Sequence, residues 1–133
     1  MTHKDFRKYV YWLAECIPEY MRNEAIEKLM NCDEEYVPYI ISGYNTETWK
    51  YGLKIVHDMG YPKNKKAIES VLYLFKDINW TTTPLALETV RGIYRNDPNI
   101  VKKAMENTTK KAIKENDEEW LYGLNWLKEK LSI

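Results

Sequence analysis

Histidine is almost absent from this chain of 133 residues, which holds only His3 and His57. Nucleophilic triads and most proton shuttles depend on imidazole, and His3 belongs to a terminus expected to fray. His57 stands beside Asp58 with no H-x-x-x-H or H-E-x-x-H partner, so a structural or surface role is expected for it. The five glycines form no G-x-G, and no G-x-x-x-x-G-K-[ST] occurs, which leaves nucleotide chemistry without a phosphate loop. Cys16 and Cys32 are the only cysteines and form neither a C-x-x-C pair nor a metal-ligand spacing. A reducing, cytoplasmic setting is therefore expected, with no disulfide and no metal. No apolar run approaches the roughly 18 residues of a membrane span, and Met1-Thr2-His3-Lys4-Asp5 runs straight into an amphipathic pattern rather than a signal peptide. The expectation is a protein with no catalytic residue, no cofactor and no membrane contact.

Net charge is also missing. Twenty basic side chains balance twenty acidic ones, which argues against a strongly basic nucleic-acid binder. Apolar residues make up 44% of the chain, enough to exclude disorder. One domain spanning 1–133 is expected, and at this size it buries roughly two thirds of its unfolded surface and needs no staple. The low mean hydropathy of −0.62 reflects core residues that keep a polar handle, eleven tyrosines and five tryptophans among them.

Periodicity is helical nearly everywhere. Phe6, Val10, Leu13 and Ile17 recur at three- and four-residue steps; Met21, Ala25 and Leu29 do the same, followed by Val37, Ile40, Ile41 and Tyr44. Pro18 and Pro62 suit first turns, Thr83-Pro84 and Asp97-Pro98 read as N-cap followed by N1, and Gly60 suits a helix end. The pattern predicts eight helices, over 5–16, 18–31, 34–44, 46–59, 62–78, 83–94, 97–115 and 117–131.

A repeat organises them. Trp49-Lys50-Tyr51-Gly52-Leu53 returns as Trp120-Leu121-Tyr122-Gly123-Leu124, and Thr83-Pro84-Leu85-Ala86-Leu87 near the midpoint keeps a small residue and a leucine in the matching places. The period of about 34 to 37 residues is that of a stacked helix pair. Trp49, Gly52, Leu53, Val56 and Gly60 form one stripe, repeated by Trp120, Gly123, Leu124, Leu127 and Leu131, with the glycine allowing close approach. The expected fold is all-α, a short α-solenoid of about eight helices in antiparallel pairs, in which helices two, four, six and eight open each pair and helix one is a cap. The plainer alternative is an irregular helical bundle.

Gly60-Tyr61-Pro62, then Leu74-Phe75-Lys76-Asp77-Ile78-Asn79-Trp80, and later Asp117-Glu118-Glu119-Trp120, resemble the motifs of a family of small bacterial HEAT-like proteins of unknown function. That family has G-Y-P opening one helix, D-x-N-W-P closing it, and a later acidic-Trp segment. Residues 45 to 130 carry the resemblance, although Thr81 replaces the family's proline and Phe75 its common tryptophan. It implies a HEAT-like fold and similarity to immunity proteins of bacterial toxin systems, and it carries over no catalytic residue.

Charge is segregated despite the zero total. Residues 1–49 carry 5 basic and 9 acidic side chains, residues 50–114 carry 13 and 6, and residues 115–133 carry 2 and 5. Glu34-Glu35 and Glu118-Glu119 occupy predicted first turns, where acids favour the helix dipole, so they read as capping residues rather than acid-base pairs. Lys63-Asn64-Lys65-Lys66 opposes the dipole of its helix, which invites an anion or an acidic partner. Opposite their apolar faces, the second helices of the pairs present Tyr39, then Lys66 and Tyr73, then Lys103 and Lys110. These five are the candidate partner-binding residues; a merely solvated lysine face is the competing interpretation. The leading functional expectation is a non-enzymatic protein-binding scaffold whose partner is a protein, a toxin in the immunity case. The alternative is nucleic-acid binding by the central basic surface, with Tyr39 and Tyr73 stacking on bases. Against the alternative stand the acidic ends and the scarcity of arginine, the better bidentate reader of phosphate.

Overall fold

A computed structural model describes residues 1–41 and 45–133, and among these the chain is helical with no strand. The predicted eight helical segments appear in order, but two of them are tighter than expected. Helix α1, His3–Tyr11, opens with a capping box in which the Thr2 hydroxyl accepts from the Asp5 N–H. It stops well short of the predicted residue 16, because single turns at Leu13 and Ala14 bury two adjacent side chains that one helical stripe would separate. Pro18 then starts α2, Glu19–Met30, which buries Ala25 and Leu29.

The third predicted helix is a 3-10 segment, Glu34–Tyr39. Pro38 lies inside it and supplies no N–H to an α-helical ladder. Tyr44, the last residue of the predicted stripe, lies outside the described residues. Asn45 caps the short 3-10 turn Thr46–Thr48, which leads into α3, Trp49–Met59. Gly60 ends α3 at φ 69° and ψ 170°, a conformation that essentially only glycine adopts. After a cis Tyr61–Pro62 bond, the predicted helix 62–78 is α-helical only as α4, Ile68–Tyr73, between 3-10 turns at Lys63–Ala67 and Leu74–Lys76. The lysine-rich start has no acid in its first turn. Helix α5, Thr83–Asn96, is capped one residue earlier than read, with Thr82 rather than Thr83 in the N-cap position, and runs two residues beyond the predicted 94. Helices α6, Pro98–Lys114, and α7, Glu118–Leu131, are capped as their sequences suggest, by the Asp97 and Asp117 carboxylates accepting from Ile100 and Trp120.

The elements form two rows. In one, α1 packs on α2, α2 on α3, and α3 on α5; in the other, Glu34–Tyr39 packs on Lys63–Ala67 and α4, and α4 on α6. Helices α5 and α6 face each other across the rows. A single buried cluster runs through both, from Phe6 to Leu131. Helix α7 departs from the expected pattern, in which it would continue the first row from α5: its main contacts are with Leu74–Lys76 and α6. Trp120 explains part of the departure, since its buried indole N–H donates to the Leu72 carbonyl at 3.1 Å. Lys76 adds a partly buried ion pair to Asp117 at 3.3 Å.

Candidate partner-docking groove

Along α1, positions 3, 6, 7, 10 and 11 share one side by helical spacing, and that side faces the Glu34–Ile41 segment. Phe6 stacks on the buried Tyr36, with ring centroids 4.7 Å apart, and fixes the two elements together. Above this contact lies a groove of about 680 Å³ bounded by Phe6, Arg7, Tyr11, Tyr39, Tyr73 and Lys111. The Ser70 hydroxyl donates to the Pro38 carbonyl at 2.6 Å and joins α4 to the groove's other wall. A second lobe of about 620 Å³ shares Phe6, Arg7 and Tyr39 with the first and reaches His3 and Glu35. At its floor, burial pushes the Tyr36 phenol above its ordinary value of 10.0, with Glu35 adding to the shift.

Two of the five candidate residues meet here. Tyr39 is 67% exposed and stands where the two lobes join. Tyr73 is half-buried and serves as an aromatic junction: Trp49 and Trp120 both form T-shaped pairs with it, with ring centroids 5.8 and 5.6 Å away, and the Lys76 ammonium lies 4.7 Å from its ring. Lys66, Lys103 and Lys110 are exposed and line neither lobe. Lys110 pairs with Glu106 at 3.3 Å across one helical turn.

Sequence reasoning missed the α1 wall. Arg7 and Tyr11 are hidden when α1 is read only as a cap, although a tyrosine one residue beyond the Phe6/Val10 stripe is a usable sequence signal, and Tyr11 is indeed 60% exposed. Lys111 lies beside, rather than on, the face that carries Lys103 and Lys110, so helical spacing does not single it out. His57 is half-exposed on α3, 3.0 Å from Asp58 and 3.9 Å from Glu88 of α5, and thus sits between two stacked helices. Among the described residues no three His, Cys, Asp or Glu side chains gather as a metal-binding group, and no helix is long and apolar enough to cross a membrane. The chain matches no protein-family model, no curated protein and no solved structure.

Proposed function

We propose that this chain is a non-enzymatic protein-binding scaffold, a short HEAT-like stack of antiparallel helix pairs that docks a partner protein in the groove between α1 and α4. The observation that carries this reading is Tyr39, a large aromatic left two-thirds exposed at the junction of two adjoining lobes. Exposed aromatics over concave surfaces are the residues that dominate protein interfaces, because they bury much area at little entropic cost. The two rows of packed helices support the stacked-pair architecture, with α7 folded onto the end of the second row. The resemblance to HEAT-like immunity proteins makes a co-encoded toxin the first partner to test.

The test is capture of a partner from the protein's own cells by the full chain, beside a Tyr39→Ala variant, at about 50 and 200 mM salt. A stoichiometric protein complex that survives the higher salt and is lost with Tyr39→Ala is expected, since desolvated aromatic anchors are insensitive to screening. Absence of any specific protein overturns the proposal. The nucleic-acid reading is favoured by Lys66 and Lys103, exposed and without ion pairs among the described residues. It requires micromolar binding to duplex DNA or RNA that weakens log-linearly with salt; no measurable binding at 150 mM salt is the expected result.

A further inference from the structure

The main lobe of the groove is lined by two cations and one carboxylate, and the second lobe shares Arg7 and adds Glu35. Arg7 of α1 and Lys111 of α6 both line the main lobe, and neither forms an ion pair among the described residues, although the Lys111 ammonium lies 6.0 Å from the Trp120 ring. Glu69 is the single carboxylate among the residues lining the main lobe, and it too makes no ion pair. Lys111 and Lys114 form the basic last turn of α6, and Glu35 lies in the second lobe. Tyr11 and Tyr39, both more than half exposed, supply the apolar contact.

We propose that the occupant of this groove is an acidic protein segment, with an apolar anchor seated against Tyr39 and Tyr11 and carboxylates placed over Arg7 and Lys111. The inference rests on the reading of the groove as a protein-docking site and adds the chemistry of what docks. Two cations on separate helices, neither in an ion pair, attract discrete carboxylates, and charge-assisted pairing of this kind sets register and orientation. Single-stranded nucleic acid fits less well. Its phosphates recur at every unit and would meet Glu69, while the Tyr73 ring already packs against two tryptophans and the Lys76 ammonium and is not a free stacking platform. A peptide can place an uncharged or basic residue opposite Glu69.

The experiment selects a phage-displayed library of random dodecapeptides on the immobilised full chain and measures the best peptide, synthesised free, by fluorescence anisotropy. The expected peptides combine an aromatic or aliphatic residue with several Asp or Glu. Binding should fall at least ~10-fold in Tyr39→Ala and in the double variant Arg7→Glu, Lys111→Glu. It should return in the double variant when lysines replace the peptide's carboxylates. All three side chains are exposed, and circular dichroism melts check that the variants fold. Neutral or basic peptides that still depend on Tyr39 overturn the acidic assignment and leave the docking groove standing. Selection of no Tyr39-dependent peptide overturns both. Displacement of the peptide by a twelve-nucleotide oligouridylate, with a steep salt slope, overturns the assignment in favour of RNA.

Discussion

Gly123 of α7 rests directly on the Phe75 carbonyl: a Cβ at position 123 would overlap that oxygen and lie 2.9 Å from its carbon. The earlier copy of the repeated string makes a looser version of the same contact, with Gly52 placed so that a Cβ would stand 3.1 Å from the Ile40 oxygen. In both, a Trp-x-x-Gly helix lies on backbone at the end of a second-row segment. Both tryptophans then reach the ring of Tyr73.

The glycines should therefore rank. Gly123→Ala meets backbone that no side-chain rotation can clear, and a loss of about 3 kcal/mol or more is expected, the upper end of overpacking costs. Gly52→Ala requires a shift of a few tenths of an ångström and should cost about 1 kcal/mol. Gly92→Ala, inside α5 with open space around it, should stabilise by about 0.5–1 kcal/mol. Urea unfolding of the three variants checks the order, and equal stabilities for Gly123→Ala and the parent would refute the close contact.

Trp120→Phe keeps an aromatic ring against Tyr73 but removes the indole N–H that reaches the Leu72 carbonyl. Loss of that buried hydrogen bond should cost on the order of 1–3 kcal/mol. A melting temperature unchanged from the parent would show that α7 is held without it.

The two cysteines should differ sharply in reactivity. Cys16 is exposed, whereas Cys32 is buried and burial pushes its thiol above the ordinary value of 9.0, more than the nearby Lys63 lowers it. In the folded protein an aromatic disulfide reagent at pH 8 should modify one thiol rapidly and the second only on unfolding. Two equally fast phases would contradict the burial of Cys32.

Hydrogen bonding by Thr2, its backbone N–H foremost, holds the Asp5 carboxyl below its ordinary value of 3.8. A lowered folded value means that the capping box contributes fully above pH 3.8 and is lost as pH falls through the folded value, with α1 fraying from its start. An NMR titration should place the Asp5 midpoint below 3.8 and move it back toward 3.8 in Thr2→Ala. A midpoint at 3.8 in the parent would mean that the box is open in solution.

Local chemistry made the helices legible in the sequence alone. The aspartates before α6 and α7, the glycine after α3 and the three- and four-residue apolar spacings act through the backbone and side chains of neighbouring residues, and they appear where the sequence places them. The repeated Trp-x-x-Gly was legible for the same reason, as one stripe seen twice. Tertiary packing decided the rest. Pro38 in 34–39 and the lysine-rich start of 63–67 go with 3-10 turns there. The tertiary structure ties these turns down by burying Tyr36, Val37, Asn64 and Ala67 and by long-range hydrogen bonds from Ser70 to the Pro38 carbonyl and from Lys63 to the Met30 carbonyl. Nothing near Gly123 in sequence marks Phe75, 48 residues earlier, as the backbone it covers, so the resting place of α7 depended on a long-range fit. The groove was decided in the same way: Arg7, Tyr39, Tyr73 and Lys111 come from four separate segments, and only the approach of α1 to the second row sets them around one space.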